Sequence, residues 1–340
     1  MRQVWITRHG GPEVLAVREA PDPEPGPGEV RLRVRAAGVN FADLMARKGL
    51  YPDAPPPPCV VGYEVAGDVD AVGPGVTAFQ PGDRAFGITR FGGYASAVCV
   101  PEDQLFPMPE GMDYATAAAI PVNYLTAYAA LVVMGNVRAG QRVLIQNAGG
   151  GVGLAAIDIG RILGAELIGT ASAWKHATLR ERGLHHAIDY RHEDVVAAVR
   201  EITQGRGVDV VLDPIGGQSW AQGLALLKPL GRLVCYGVST LSTGRRRTLR
   251  GMVRWLLRSP WLKFTPVYLM NHNQGVLGIN LGHLWDERDS LRAWMLHILR
   301  WYEEGHIAPR VDKTFPLEHA AAAHTHIEER RNLGKVILVP

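Results

Sequence analysis

An apolar strand, a glycine-packed turn and an apolar helix follow one another in Val143-Leu144-Ile145-Gln146-Asn147-Ala148-Gly149-Gly150-Gly151-Val152-Gly153, running on into Leu154-Ala155-Ala156-Ile157. That order offers a place for an anion. The start of a helix carries unpaired N–H groups and a positive dipole end, which suit a pyrophosphate. Glycines let the backbone come close to a ligand, and Gly153 lets the helix lie tightly on the strand. A glycine triplet alone marks only a turn. Here the strand before it and the helix after it supply the context that a dinucleotide site requires.

The next strand bears on which dinucleotide. An NAD-selective site places Asp or Glu at its end, bonded to the ribose hydroxyls. This one ends Gly169-Thr170-Ala171-Ser172 with no carboxylate, and Lys175, His176 and Arg180 follow. A hydroxyl and a cation suit the additional 2′-phosphate of NADPH, which an acid would repel. The competing reading of Lys175 is a cation closing a surface helix.

Elements that position these residues are legible from texture. Residues 1–122 read as strands and turns: Val30, Leu32, Val34 and Ala36 alternate with Arg31, Arg33 and Arg35, and prolines and glycines are dense. Pro55 to Pro58 mark an extended surface loop. Residues 123–282 alternate strand and helix, with strands expected at Arg142 to Gln146, Glu166 to Thr170, Ala187 to Tyr190, Val208 to Asp213, Arg232 to Gly237 and Val276 to Leu281. Helices are expected at Val152 to Leu163, Val195 to Thr203 and Trp220 to Leu227. This spacing predicts an α/β fold with a doubly wound parallel sheet. Residues 283–340 hold a helix over Glu287 to Glu304, another near Glu318 to Arg330, and a strand over Lys335 to Val339 that returns to the first domain.

Bulk properties fit this picture. Of the 340 residues, 47% are hydrophobic and 20% charged, as in an ordinary globular enzyme. No apolar run reaches the roughly 18 residues of a membrane span, and Met1-Arg2-Gln3-Val4-Trp5 shows no secretory core. The three cysteines lie far apart, so a reduced cytoplasmic setting is expected. A net charge of +3 is too small to imply a nucleic-acid partner. Charge is nonetheless uneven, for no acidic residue lies between Asp213 and Asp286.

The chain resembles the zinc-free quinone oxidoreductases (zeta-crystallin-like) of the medium-chain dehydrogenase/reductase superfamily over nearly its whole length. Gly140-Gln141, Leu144, Ala148, Gly150-Gly151, Gly153 and Arg161 follow that family's signature. Gly149 departs from it where Ala or Ser is usual, and Asp158 where Gln is usual. Asn40-Phe41-Ala42-Asp43-Leu44-Met45-Ala46-Arg47, Gly169-Thr170-Ala171-Ser172-Ala173, Lys228-Pro229-Leu230-Gly231 and Gly334 to Pro340 look most like its synaptic-vesicle amine-transport homologues. The resemblance implies a Rossmann nucleotide domain beside a GroES-like, mostly-β domain. It implies NADPH contacts from Asn123, Thr126, Ala148, Gly150, Gly151, Val152, Gly153, Ser172, Lys175, Tyr190, Asp213, Gly237, Ser239, Leu277, Gly278, Ile279 and Asn332. It also implies a homodimer, whose sheets would pair through Val276 to Leu281.

Zinc-dependent relatives use a Cys, a His-Glu pair after glycine and a further ligand. Here Asn40 stands near the first ligand position and Gly62-Tyr63-Glu64 carries tyrosine for histidine, so no zinc is expected. Without a Lewis acid a simple ketone is hard to polarise. Hydride can still reach an electron-poor acceptor such as a quinone or enone. Asn40, Asp43, Tyr51 and Tyr63 are the polar groups expected near it, with Tyr51 as a candidate proton or hydrogen-bond donor. Asp43 reads equally as a helix cap, and Met45 replaces a second tyrosine of many relatives. An enoyl-thioester reductase is a rival reading. A second rival is a lipid- or membrane-interacting protein of this fold, resting on the basic segment 245–263. There a helix over Thr248 to Pro260 would set Arg246, Arg247, Arg250, Arg254 and Arg258 against an apolar side, for a membrane surface, a partner subunit or solvent.

Overall fold

The structure, a computed structural model, describes residues 1–242 and 260–340. The arginines at 245–258 and nearly all of the basic helix expected there lie outside the described residues. Contacts divide the chain into two units. One is Met1–Asn123 with Gly282–Glu303 and Pro309–Pro340; the other is Tyr124–Leu281 with Glu304–Ala308.

The first unit is mostly strand: β1 (Arg2–Ile6), β2 (Leu15–Glu19), β3 (Glu29–Val39), β4 (Cys59–Val60), β5 (Glu64–Val72), β6 (Arg84–Ile88), β7 (Ala97–Pro101) and β8 (Leu105–Pro107). The alternation in β3 buries Val30, Leu32, Val34 and Ala36. Its arginines face the other way, where Arg31 bonds Asp70, Arg33 bonds Asp22 and Asp70, and Arg35 bonds Asp68. Such partly exposed pairs contribute roughly 0–1 kcal/mol each. The apolar face therefore holds this sheet, and the ladder of charges keeps its register.

The second unit contains β9 (Arg142–Ile145), β10 (Glu166–Ala171), β11 (His186–Asp189), β12 (Val208–Asp213), β13 (Leu227–Cys235) and β14 (Gly275–Gly278). They run parallel in the order β11-β10-β9-β12-β13-β14. Counted within the sheet this is 3-2-1-4-5-6, the Rossmann order, whose ligand crevice lies outside the carboxyl ends of the strands. Every residue of β12 is buried, as a strand covered on both faces should be. Helices Gly151–Ile162, Val195–Ile202 and Gln218–Leu226 connect strands of this sheet.

Many element ends differ from expectation by a residue or more, and four of the differences bear on the site. The first helix starts at Gly151, with Gly150 as its N-cap, so glycines supply its opening N–H groups. β11 stops at Asp189 because that side chain accepts from the Arg191 N–H and meets His192, folding the chain into a turn that carries Tyr190. β13 begins earlier, at Leu227, and passes through Leu230 at φ 69°. β14 ends at Gly278 because a 3-10 turn takes over at Leu281–His283.

The chain returns to the first unit with β15 (Val311–Pro316) and β16 (Lys335–Val339), giving the sheet order β15-β16-β3-β5-β6-β8, with β7 also on β3. One expectation is corrected. The stretch Tyr114–Met134 is long and apolar enough to cross a membrane by length and composition, although polar residues interrupt it. Of its most apolar window, 78% is buried inside the protein, the placement of a core helix.

Candidate functional site

Each unit holds one arrangement able to do chemistry, and the two are built differently. In the second unit the glycine bend leaves β9 through Asn147, whose left-handed φ of 58° suits its short polar side chain. The bend is tied to the neighbouring strand, for the Asn147 N–H donates to Thr170 Oγ1 at 3.1 Å and the Ala148 N–H to the Thr170 carbonyl at 2.9 Å. A Cβ added to Gly153 would lie 2.5 Å from the Asn147 carbonyl oxygen and 2.6 Å from Ala148 backbone atoms. Only glycine lets helix and bend meet so closely. Gly151 and Val152 then open the first turn of the helix, where N–H groups lack intrahelical partners, while the N–H of the N-cap Gly150 donates to the Asn147 carbonyl at 3.0 Å.

Lys175 ends a 3-10 turn, Ala173–Lys175, that follows β10 and Ser172. Both Lys175 and Ser172 are buried. The lysine stem crosses Gly149: a Cβ there would stand 2.5 Å from Lys175 Cδ and 3.4 Å from its Nζ. The cap of a surface helix is therefore not its only setting; it lies against the bend.

The other positions expected to meet a nucleotide in this unit stand along the same carboxyl edge. Tyr190 follows β11. Asp213 ends β12, where its carboxylate accepts from the Ile215 and Gly216 N–H groups and the Ser219 hydroxyl. Burial raises its pKa against those donors. Its side chain is spent on shaping a loop, so it offers a ligand backbone geometry rather than a free carboxylate. Gly237 and Ser239 follow β13 and zip onto that loop, with the Ser239 N–H donating to the Pro214 carbonyl and a Cβ on Gly237 falling 2.9 Å from the same oxygen. Leu277 and Gly278 end β14, and the Ile279 N–H still reaches the Cys235 carbonyl. Thr126 is buried in helix Pro121–Tyr128. Asn123 and Asn332 belong to the first unit. Asn123 donates to the Ala119 carbonyl and Asn332 to the Gly334 carbonyl.

The first unit's arrangement is a buried polar cluster around helix Phe41–Arg47. Asn40 caps that helix, and its own N–H donates to Asp43 Oδ2 at 2.8 Å. Asn40 Nδ2 donates to Glu64 Oε1 at 2.8 Å, and its Oδ1 accepts from Lys335 Nζ at 2.6 Å. Lys335 also pairs with Glu64, whose other oxygen accepts from the Val122 N–H. Both ends of the Asn40 amide are thus committed, which makes it a positioning residue. Asp43 accepts from the Gly62 N–H and from the Tyr94 hydroxyl at 3.0 Å. Tyr94 meets His324 Nε2, His324 Nδ1 meets Arg47, and Arg47 reaches Glu328. Burial pushes the Asp43 carboxyl up to about 7, opposed by its donors and by Lys335. Burial, with Arg47 and Lys48, holds His324 well below its usual range, so it is neutral.

Tyr63 is buried, and among the described residues its hydroxyl has no hydrogen-bond partner of ordinary geometry, although Tyr51 lies beside it. Its ring meets Tyr51 edge-on at 6.1 Å and Phe91 at 5.1 Å. Burial, then the Asp43 charge, holds this phenol far above its ordinary pKa. Its hydroxyl stays protonated, a donor rather than an anion. Met45 is buried too. Of the four residues expected near an acceptor, Asn40 and Asp43 are thus engaged by their neighbours, while Tyr51 and Tyr63 share an aromatic wall. Sequence reasoning missed Tyr94, Arg47, His324 and Lys335. Only the four-residue spacing of Asp43 and Arg47, one helical turn apart, pointed to any of them.

The fold and these arrangements define a two-unit oxidoreductase with a nucleotide-binding sheet. A model of the alcohol dehydrogenase GroES-like domain matches residues 26–110, and one of the zinc-binding dehydrogenases matches residues 182–338. The synaptic vesicle membrane protein VAT-1 homolog of Rattus norvegicus is 44% identical over 346 residues, covering 100% of this chain and 84% of the relative. A quinone oxidoreductase of Pseudomonas aeruginosa is 36% identical over 341 residues, covering 100% and 99%. The crystal structure of Escherichia coli quinone oxidoreductase complexed with NADPH superposes with a TM-score of 0.88 at 30% identity, covering all of both chains. The chain belongs to the medium-chain dehydrogenase/reductase superfamily, among its quinone oxidoreductases and VAT-1 homologues.

One matching model is named for zinc, and the residues present do not fit that ion. Among the described residues no three His, Cys, Asp or Glu side chains are grouped to hold a metal. At the place in question Asn40 and Glu64 already surround a cation, the Lys335 ammonium.

Proposed function

We propose that the protein is an NADPH-dependent reductase of conjugated carbonyl acceptors, quinones or enones, that works without a metal. The observation carrying this reading is Lys175 lying across Gly149 beside a strand that ends without a carboxylate. Bound along this carboxyl edge, the reduced nicotinamide would supply a hydride. The N–H groups opening helix Gly151–Ile162 hold the diphosphate. Lys175 and Ser172 meet the 2′-phosphate, and Tyr190 the adenosine. In the first unit, the buried Tyr63 hydroxyl, which has no hydrogen-bond partner of ordinary geometry among the described residues, is a donor suited to an oxygen that gains negative charge during reduction. Quinone reduction takes one hydride and one proton. Asp43, with a pKa near neutrality and bonded to Tyr94, belongs to a buried network able to hold a proton close to neutral pH.

Oxidation of NADPH is to be followed with ortho-quinones and with a crotonyl thioester. Turnover of the quinones alone supports the proposal, whereas turnover of the thioester alone replaces it with enoyl-thioester reduction. We also propose a homodimer through the edge strand β14, beside which Leu230, Val267 and Met270 are exposed. A monomer in light scattering ends that reading. Similarity to vesicle membrane proteins supports peripheral membrane contact through residues 245–263. Flotation on anionic liposomes that survives replacement of Arg246, Arg250 and Arg254 would remove it.

A further inference from the structure

We propose that Gly149 and Trp174 together seat the Lys175 ammonium, and that this seat sets the preference for the phosphorylated dinucleotide. The inference rests on the NADPH reading above and extends it to two residues outside the phosphate-binding set. A lysine is a point charge on a flexible four-carbon stem, and an unheld stem loses rotamer freedom when it meets a ligand. Lys175 is held before any ligand arrives, since only 4% of it is exposed.

Its floor is Gly149. A Cβ at that position would fall 2.5 Å from Lys175 Cδ and 3.5 Å from its Cε. Ordinary carbon contacts need about 3.5 Å or more, so any side chain there must lift the stem by roughly 1 Å. Its wall is Trp174, whose ring centroid is 5.1 Å from Lys175 Nζ, within cation–π range. Trp174 is 57% exposed, unusual for an indole, and the ammonium gives it a purpose. The turn beneath is stiffened by the Lys175 N–H bond to the Ser172 carbonyl at 2.9 Å. This chain's glycine lets the lysine stem lie against the backbone of the bend that follows β9.

The test is equilibrium binding of NADPH and of NADH, read by nicotinamide fluorescence, on the full chain. Gly149→Ala is expected to lower the NADPH-over-NADH preference about fivefold through NADPH affinity alone, as displacement of a charge-assisted contact should. Trp174→Leu should lower it about threefold, and Trp174→Phe, which keeps a π face, should restore it. In a Lys175→Ala background Gly149→Ala should change the preference no further. The seat is overturned if the preference survives both Gly149→Ala and Trp174→Leu while Lys175→Ala abolishes it. Unchanged NADH affinity serves as the control that the bend still folds; should Gly149→Ala fail it, the two Trp174 variants decide alone. A wild-type chain that binds both dinucleotides alike overturns the cofactor reading itself, and the seat with it.

Discussion

The glycine bend of the nucleotide unit and the polar cluster of the GroES-like unit solve opposite problems. The bend is made of backbone, and its specificity lies in what is missing, a Cβ at Gly149 and at Gly153. The cluster is made of side chains, and its function depends on every buried charge finding its partner: Lys335 with Glu64, Arg47 with Glu328, Asp43 with three donors. A void of one methyl group governs the first. Charge balance governs the second. The bend should therefore fail when anything is added, and the cluster when anything is taken away.

The largest expected effect falls on the cluster. Lys335→Ala leaves the Glu64 charge buried and unpaired, which costs about 3–5 kcal/mol. Replacing Glu64 with Gln in the same chain should recover part of that loss, read as the denaturation midpoint. If the double variant is no more stable than the single one, charge balance is not what holds this region. Next comes Gly153→Ala, whose added carbon meets backbone atoms that cannot turn aside. Strain there is expected to cost about 1–3 kcal/mol and at least about tenfold in NADPH affinity. A variant that binds normally would show that the bend tolerates addition after all.

A sharper probe is Tyr63→Phe, which removes a hydroxyl with no hydrogen-bond partner of ordinary geometry among the described residues. Stability should hold or rise slightly, while kcat falls roughly 10- to 100-fold if that hydroxyl meets the developing oxyanion. A loss of stability with unchanged kcat would count against its role. The smallest effect is a pH dependence. Asp43 ionises near 7 when folded but near the ordinary carboxyl value of 3.8 otherwise, so between those values the folded chain retains a proton that the unfolded chain has released. Its contribution is complete below about pH 4 and is lost as pH rises through 7. His324 has the opposite sign: its folded pKa is depressed, so its contribution is intact above the unfolded value near 6.5 and is lost as pH falls below it. Urea midpoints should thus carry an Asp43 decline between about pH 4 and 7 and no further Asp43 change above it, with the His324 rise opposing that decline below about pH 6.5. Asp43→Asn should remove that decline alone.

The contrast also explains what could be read beforehand. The bend lies within eleven consecutive residues, Val143 to Gly153, so strand, turn and helix signals reinforce one another locally. The alternation that placed Arg31, Arg33 and Arg35 on one face of β3 is likewise local. The partners of Asn40 and Arg47 lie 295 and 277 residues away, at Lys335 and His324. No period or spacing announces such a meeting. His324, bonded to both Tyr94 and Arg47, sits in the middle of the network with no local signal to place it there. Even within the bend, Lys175 above Gly149 emerges only from tertiary contact, since the motif specifies a floor and leaves its occupant unstated.

The union of Glu64 with Lys335 has a consequence for the growing chain. Glu64 leaves the ribosome 271 residues ahead of its counter-ion. At about 5–20 residues per second that delay lasts on the order of tens of seconds. Throughout it, the carboxylate must stay hydrated, because closing the sheet around it alone would strand a charge. Nearly all of the nucleotide unit, Tyr124–Leu281, emerges in the interval. Synthesis therefore favours an order of assembly in which the inserted unit matures first and the enclosing one is sealed by β16.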